Sequence, residues 1–381
     1  MDKNSKIMIA GAGVAGLTCS IWLGRSGFRP VVIEKSPVIR ADGYIISLSH
    51  KSYHYAKELD ILQEMCNRNT GIRHSSYHNR SGRAMLTLDY RDLFADVDIV
   101  QLMRDELENI LYKEAQDKAE FRFNLSARVI NQDGGKVQVE FNNSEQEEFD
   151  LLIGADGLHS ITRELVFTDD EVNKIYLDRF SAAYMLDNVV GLEDKFENHM
   201  EKDRYMCAYT TGKGGLACVF VWEDRDRQAP EPSQRPAKLR AKFRDSPEFV
   251  QKILAQCPED KPIYMDPLIQ INMQHWSKGR VVLTGDAAHC LTLLSGQGAS
   301  SAFWGASALS KALIEMEPEQ AFRAYEEELM PIINKIQPAT RKATSWYVPA
   351  HTLKYYLRNT IMTCMPNAFF QYYFKKKYTT A

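Results

Sequence analysis

The sequence has little that would suit a disulfide-rich, zinc-binding or nucleic-acid-binding protein. Its 7 cysteines are odd in number and widely scattered, and none forms a C-x-x-C pair, so we predict neither a disulfide framework nor a metal site. A formal net charge of -3 gives no attraction toward nucleic acid, and we exclude that class of partner. The apolar runs are too short for a membrane-spanning helix, so we predict no integral membrane segment.

A targeting signal and internal repeats are missing as well. The first predicted strand directly follows MDKNSK, which leaves no room for a signal peptide, so a reducing cytoplasm is the expected location. The rest is ordinary for a globular protein. The 381 residues, 44% of them apolar and 25% charged, suffice for a large core in two closely joined domains. A monomer or a weak dimer is expected.

The stretch from Lys6 to Lys35 indicates a cradle for a dinucleotide. It begins with a short apolar run suited to a buried parallel strand. Gly11, Gly13 and Gly16 then spell G-x-G-x-x-G. The first glycine permits a tight turn, the second lets a pyrophosphate approach the backbone, and the third lets the helix pack closely on the strand. That helix directs its N-terminal N–H groups and positive dipole end at the phosphates.

The second strand of this stretch, Val31 to Ile33, ends at an acid. Glu34 lies about 20 residues beyond the glycines, where a carboxylate can accept hydrogen bonds from a ribose 2'-OH. Ala15 in the turn and Lys35 beside the acid belong to the same predicted cofactor site. Strand, turn, helix, strand and acid are all in register, so we predict a dinucleotide site. This stretch alone allows NAD, NADP or FAD.

Two later segments repeat the pattern of a strand end, a glycine and a helix start. Ligands of open α/β sheets bind outside the carboxyl ends of the strands, so three such ends suit a long ligand such as FAD. For Asp286 taken alone, a helix N-cap is an equal alternative. The residues concerned are Asp156 and Gly157 in GADG, Gly285 and Asp286 in GDAAH, and Gly296, Gln297 and Gly298 before a helix that contains Ala299 and Ser300.

Taken together, these three segments resemble the motifs of the class A flavoprotein monooxygenases, the p-hydroxybenzoate hydroxylase-like family. The order and spacing of G-x-G-x-x-G, D-G and G-D match over roughly the first 315 residues. The resemblance implies an α/β fold with a Rossmann-like FAD-binding domain on a parallel sheet, a β-sheet substrate domain and C-terminal helices. The implied boundaries are 1–70, 97–175 and 275–320 for FAD, 71–96 and 176–274 for substrate, and 321–381 for the C-terminal helices.

The resemblance also implies roles for individual residues. Glu34 is expected to bind the adenosine ribose, and Arg104 and Asp286 the FAD chain. Asp156 and Gly157 are expected to serve FAD and NAD(P)H together. The turn at 296–298 approaches the isoalloxazine.

The implied reaction is a hydroxylation. NAD(P)H reduces FAD, O2 adds at flavin C4a, and the hydroperoxide hydroxylates an electron-rich aromatic or polyketide-like small molecule. The protein then has to orient the substrate and exclude water, and no side chain needs to act as nucleophile. His289 and Trp304 are candidates for a place near the substrate, although a histidine after GDAA is more often structural.

The motif around 300 departs from the common family pattern. Many members have proline where Thr292 and Leu293 stand and asparagine at Ser300, so here a serine hydroxyl or the backbone has to supply that flavin contact. SGQGASSAFWGA resembles the branch of tetracycline destructases and antibiotic-tailoring hydroxylases, which suggests inactivation of a tetracycline-type antibiotic. The alternatives are a flavin-dependent reductase or halogenase, whose W-x-W-x-I-P signature is absent, and a non-catalytic flavin-binding protein.

Three other segments carry structural expectations. The spacing predicts one helix over Ile99 to Tyr112, with Arg104 near its start. A loop carrying Arg40, Asp42 and Gly43 is expected to fold back over the cofactor.

The C-terminal region is predicted to form a helix over Ala321 to Gln337 and, after Pro349, a second helix with an apolar stripe of its own. A terminal helix packed on the core, a cap over the substrate entrance and a membrane-surface anchor remain open for it. The stripe comprises Leu353, Tyr356, Leu357, Thr360, Ile361 and Cys364.

Overall fold

The structure, a computed structural model, is a mixed α/β fold with a parallel-stranded sheet, further sheets and C-terminal helices. It describes residues 1–39, 44–95, 97–261 and 263–372. The loop residues Arg40, Asp42 and Gly43, predicted to cover the cofactor, lie outside these ranges. Within the described ranges, no helix combines the length and apolar character that crossing a membrane requires.

Most of the strands belong to a six-stranded and a seven-stranded sheet. In chain order they are β1 (Ile7–Ala10), β2 (Val31–Glu34), β3 (Ile45–Ser49), β4 (His74–His78), β5 (Ala84–Asp89), β6 (Ile99–Met103), β7 (Glu120–Phe123), β8 (Ala127–Asp133), β9 (Lys136–Phe141), β10 (Gln146–Phe149), β11 (Leu151–Gly154), β12 (Val172–Asp187), β13 (Lys195–Met200), β14 (Arg204–Thr210), β15 (Gly215–Glu223), β16 (Tyr264–Met273), β17 (Ser277–Lys278) and β18 (Val281–Leu283).

The helices connect and cover these strands. They are α1 (Val14–Arg25), α2 (Lys51–Glu58), α3 (Leu62–Asn67), α4 (Tyr90–Phe94), α5 (Arg104–Ala115), α6 (Ile161–Val166), α7 (Arg235–Phe243), α8 (Glu248–Ala255), α9 (Asp286–His289), α10 (Gly298–Glu315), α11 (Pro318–Tyr347) and α12 (Thr352–Cys364), with short 3-10 turns at Pro232–Gln234 and Leu293–Ser295.

A six-stranded sheet in the order β17-β18-β11-β1-β2-β7 carries the N-terminal motif. Strands β18, β11, β1, β2 and β7 run parallel, and β17 is antiparallel at one edge. The central strand β1 is buried at every position, as expected for a parallel strand covered on both faces. Because the strands are parallel, the chain leaves β1, β2, β11 and β18 at the same edge, where the three motifs follow.

A seven-stranded sheet in the order β16-β12-β15-β14-β13-β4-β5 forms the second half of the molecule. One face packs Phe220 and Trp222 against α7 and α8, where Phe243 and Ile253 are fully buried. The other face carries a separate apolar cluster that includes Tyr209 of β14. This second face, with parts of β12 and β16, is the one that borders the motif edge of the parallel sheet.

The predicted helix over Ile99 to Tyr112 is wrong in its first part. Ile99–Met103 is strand β6, which pairs antiparallel with β3, and α5 begins only at Arg104. The burial of Val100 and Leu102, alternating with half-buried neighbours, is the two-residue period of a strand.

The C-terminal helices also differ from the prediction. Helix α11 is 30 residues long and ends at Tyr347, so it continues past the predicted end at Gln337, and it contains Pro331 and Pro338. In α12 most of the expected apolar stripe does not pack on the core, and only Ile361 of the stripe is partly buried against the sheet cluster. The side chains of Leu353, Tyr356 and Leu357 are exposed, whereas Arg358 and Met362 are the buried ones.

Candidate functional site

The turn between β1 and α1 is packed so tightly that two positions in it and just after it have no space for a Cβ atom. Gly11 has a φ of 102°, and a Cβ atom there would lie 2.5 Å from the carbonyl oxygen of Ala155. At Gly16 a Cβ would lie 1.9 Å from the carbonyl oxygen of Gly11. Neither position has room for a side chain. Gly13 is the N-cap of α1, and its missing side chain leaves the approach to the helix N-terminus open.

Glu34 is fixed at the end of β2 by two backbone donors. Its Oε2 accepts a hydrogen bond of 2.9 Å from the Ala12 N–H, and its Oε1 accepts one of 2.9 Å from the Ser36 N–H. Each carboxylate oxygen keeps further acceptor capacity. The carboxylate is therefore oriented beside the glycine turn, with lone pairs left for a ligand hydroxyl.

A charge cluster lies beside the turn, where a Cβ at Gly13 would be 3.7 Å from the Glu108 Oε1 and 3.9 Å from a guanidinium nitrogen of Arg104. The Arg104 Nε donates to the Glu108 Oε1 at 3.0 Å, and its guanidinium carbon lies 5.9 Å from the Tyr44 ring centre. Burial raises the pKa of the Asp286 carboxyl, and the nearby Arg104 partly offsets that rise. Burial alone would lower the pKa of Arg104, but Glu108, Tyr44 and Asp286 raise it, so the guanidinium stays charged.

Asp156 has mainly local partners. Its carboxylate accepts hydrogen bonds from the Ser160 hydroxyl at 2.5 Å and from the Thr162 N–H and hydroxyl at 2.9 and 3.0 Å. Burial raises the pKa of this carboxyl, while these hydrogen bonds act in the opposite direction. The side chain thus holds the start of α6 in place, and it shapes the wall of the cavity together with Gly157.

Around the start of α10 the predicted residues divide into two sets. Gly296, in the left-handed conformation, and Gly298 border the cavity. The Ser300 hydroxyl is instead 2.6 Å from the Ser52 hydroxyl and 3.4 Å from the Ser49 N–H, so it joins α10 to β3 and α2. Asp286 is the first residue of α9, and Gly285 is its N-cap.

These elements enclose a cavity of about 720 Å³, within the size range of small-molecule and cofactor sites. It runs from the glycine turn to the inner face of the seven-stranded sheet. The predicted site residues in its lining are Gly11, Gly13, Ala15, Glu34, Lys35, Arg104, Asp156, Gly157, Asp286, Gly296, Gly298 and Ala299, while Gly16, Gly285, Gln297 and Ser300 stand behind the lining.

His289 does not line this cavity. It is fully buried, with its ring 4.8 Å from the Trp276 ring and its Nε2 3.4 Å from the Tyr325 hydroxyl. Burial lowers its pKa to about 4, so the ring is neutral near pH 7. Trp304 points elsewhere as well, since its Nε1 donates to the Glu328 carboxylate at 2.9 Å. Both side chains pack α10 and α11 rather than facing a ligand.

Several residues of the cavity wall were not predicted from the sequence. Glu108 could have been found, because it lies four residues after Arg104 on one helix face. Tyr44, Tyr264 and Leu293 carry no comparable local signal. They reach the cavity from three separate parts of the chain, and only the fold brings them together.

The cavity suits FAD on grounds visible in the structure itself. Protein backbone lies against Gly11 and Gly16, and the absence of a side chain at Gly13, the N-cap of α1, leaves room for a pyrophosphate near the N–H groups at the helix start. Among the described residues, no acid in the first turn of α1 and no side-chain cap occupies the N–H groups at the helix N-terminus, whereas the Ala12 N–H of the turn is already bound by Glu34. Glu34, Arg104 and Asp286 all line the cavity, where Glu34 would hold the adenosine ribose and the other two would contact the cofactor chain.

Comparison with known proteins decides the family. A model described as FAD binding domain matches residues 4–338. A flavin-dependent monooxygenase from an unknown prokaryotic organism is 33% identical over 353 residues, 88% of this chain and 88% of its own length. The chain belongs to the FAD-dependent monooxygenases of class A.

Two further similarities agree with this family. A flavin-dependent monooxygenase of Legionella longbeachae serogroup 1 (strain NSW150) is 32% identical over 82% of this chain and 81% of its own length. Among solved structures, the tetracycline destructase Tet(55) superposes with a TM-score of 0.84 at 26% identity, covering 100% of this chain and 98% of that one. The monooxygenase therefore shares its whole architecture, C-terminal helices included, with an antibiotic-inactivating enzyme.

Proposed function

We propose that this monooxygenase uses NAD(P)H and O2 to hydroxylate an aromatic or polyketide-like small molecule. The observation that carries the proposal is the shape of the cavity, which continues past the cofactor cradle into a chamber against the seven-stranded sheet. When bound, FAD supplies the oxygen chemistry. The side chains then have to bind the substrate, orient it and keep water away.

The chamber is built to receive a flat, mostly apolar molecule. Met185, Tyr264 and Leu268 line it from the sheet, and Tyr44 and Leu293 line it from the FAD-binding half. Burial raises the pKa of the Tyr44 hydroxyl, so its ring is neutral near pH 7. Neutral aromatic walls pack well against a conjugated ring, and few polar groups then fix its orientation. In this proposal, segments 71–96 and 176–274 form the substrate-binding domain.

Water exclusion follows from the same wall. The sheet face behind the chamber belongs to an apolar cluster in which Tyr209, Val219 and Leu268 are buried. Water that reached the reacting centre would divert the activated oxygen to hydrogen peroxide. The apolar backing thus supports coupled hydroxylation over a simple oxidase reaction.

Three measurements test the proposal in order. The purified protein should show the absorption spectrum of a bound flavin. With NADPH or NADH it should consume O2 faster when phenolic or tetracycline-like compounds are added, and the product should carry one atom of 18O from labelled O2. A tetracycline is the first compound to try, given the similarity to Tet(55).

A chamber variant separates substrate binding from flavin binding. Met185→Trp should keep the flavin-to-protein ratio but lower product formation by about tenfold, because the indole fills the space for substrate. Val189→Trp, which alters an exposed side chain, serves as the control. A flavin-containing protein that no compound in the panel stimulates, or that never incorporates label, would contradict the proposal and favour a reductase or a non-catalytic flavoprotein.

A further inference from the structure

The C-terminal part of the chain differs in charge from everything before it. After Glu328 the sequence has no aspartate or glutamate up to Ala381, and it carries eight lysine and arginine residues. Because the whole chain has a formal charge of -3, setting these eight positive charges aside leaves -11 on residues 1–328. The eight are Lys335, Arg341, Lys342, Lys354, Arg358, Lys375, Lys376 and Lys377.

Helix α12 presents an apolar face to solvent within this acid-free region. Leu353, Tyr356 and Leu357 are 80%, 63% and 58% exposed. Their spacing of three and four residues places them on one side of the helix. Phe369 and Tyr372, which follow the helix, are exposed as well. Large exposed apolar side chains that are grouped together mark interaction sites, whereas single scattered ones do not.

The orientation of α12 is fixed from its opposite face. Arg358 is buried and donates to the carbonyl oxygens of Trp346 at 3.2 Å, Tyr347 at 3.0 Å and Met200 at 3.1 Å. Met362, one turn later, is buried in the apolar cluster of the sheet. The helix is therefore docked, and the exposed stripe is the outer face of a held element.

We propose that this segment docks the protein on the surface of an anionic phospholipid bilayer. We define the docking segment as residues 353–372, which the sequence continues with Lys375, Lys376 and Lys377. The leucines and aromatic rings of the segment suit the boundary between headgroups and acyl chains, and acidic headgroups attract Lys354 and the three lysines that follow in the sequence. The acidic remainder of the molecule is repelled by the same surface, which turns this region toward the bilayer.

Charge also argues against the simplest alternative occupant, a second copy of the chain. Two docking segments placed face to face would bring positive charges together without any acid of their own to balance them. An anionic surface has the opposite sign. Docking is independent of the hydroxylation proposed above, although it would place the enzyme where apolar substrates accumulate.

Vesicle sedimentation with the full-length, flavin-loaded protein tests the proposal. Sucrose-loaded vesicles of phosphatidylcholine with phosphatidylglycerol should pellet the protein, with a partition coefficient on the order of tenfold above that for phosphatidylcholine alone. Added salt should weaken the binding, since the attraction is between charges at an exposed surface.

Matched variants assign the effect to the segment. Leu353→Ser/Tyr356→Ser/Leu357→Ser should lower partitioning by roughly tenfold, while Val189→Ser, an exposed apolar position elsewhere, should not. Lys354→Glu should weaken binding, and Lys202→Glu, also exposed, should leave it unchanged. Flavin content and thermal midpoint, measured on every variant, show that the fold is intact.

Three outcomes would overturn the proposal. The first is equal pelleting with neutral and anionic vesicles. The second is full binding by the triple serine variant. The third is a dimer, seen by analytical ultracentrifugation, that the triple variant abolishes, because the exposed stripe would then be the contact between two copies.

Discussion

Gly11 and Gly27 both have a positive φ, but their surroundings differ. A Cβ at Gly11 would meet the backbone of Ala155 and Asp156, whereas nothing lies within 4 Å of a Cβ at Gly27. Glycine is therefore required at position 11 for two reasons: the positive φ, and the close approach of the backbone that follows β11. At position 27 only the positive φ favours glycine.

This contrast gives a matched pair of variants. Gly27→Ala should lower the free energy of unfolding by about 1–2 kcal/mol, the cost of a Cβ in the left-handed region. Gly11→Ala should cost more and should also lose bound flavin, because the turn and the segment that follows β11 have to separate. Denaturant unfolding and the flavin-to-protein ratio measure both effects. Equal losses in the two variants would show that the contact with Ala155 has no energetic weight.

At this scale the sequence predicts what depends on local order. Strand, turn and acid follow one another within Lys6 to Lys35, so Gly11 and Glu34 could be placed by spacing alone. Ser300 could not be placed, because its partner Ser52 comes from a helix some 250 residues earlier in the chain. Tyr44 and Tyr264 likewise meet only through the fold.

Among the elements, α12 depends on a single buried cation. Arg358 satisfies carbonyl groups at the end of α11 and at the end of β13, and burial lowers its pKa to about 10, still charged near pH 7. A cation at a helix C-terminus also interacts favourably with the helix dipole. The contact thus ties the last helix to α11 and to the seven-stranded sheet.

Removing that cation should release the helix. Arg358→Met keeps similar volume but leaves the carbonyl oxygens without a donor, so we expect a loss of about 1–3 kcal/mol and faster amide hydrogen exchange in α12. Lys354→Met, on the exposed face of the same helix, is the control. Unchanged exchange in the Arg358 variant would mean that apolar packing around Met362 holds the helix without it.

Helices and strands were predicted well where the spacing of apolar residues fits only one of the two, and less well where it fits both. IVQLM in Ile99–Met103 has apolar spacing compatible with a helix, but its strand partner β3 lies far upstream and decides the outcome. Helix α11 passes through Pro331 and Pro338, which sequence rules treat as breaks. In α12 the apolar stripe was recognised, but the buried face was set by Arg358.

For the whole molecule, two buried histidines link stability to pH. Burial lowers the pKa of His199 and of His289 to about 4 from an ordinary value of 6.5. A histidine with a depressed folded pKa contributes stability that is present above 6.5 and is lost as the pH falls toward 4. His78, whose pKa is raised by its hydrogen bond to Glu197, contributes in the opposite sense and loses its effect as the pH rises.

The contribution of one histidine can be isolated by comparing how the free energy of unfolding of the variant and of the wild type changes with pH. Each of the two buried histidines changes that free energy by at most about 3 kcal/mol between pH 6.5 and pH 4. We expect His289→Gln to lose less unfolding free energy than the wild type between about pH 7 and pH 5, by about 2 kcal/mol. His351→Gln, an exposed position, is the control. Parallel pH curves for His289→Gln and the wild type would show that His289 is not titrated on unfolding.

The strand order of the parallel sheet has a consequence for synthesis. Strand β18 pairs with β11, which pairs with β1, and Asp286 and Gly298 at the cavity follow β18 in the chain. A growing chain on the ribosome therefore exposes an incomplete sheet until about three quarters of it has been made. The cavity that would hold flavin is complete only once β18 and the residues after it have been synthesised. A flavin bound there would contact segments that were synthesised at widely different times.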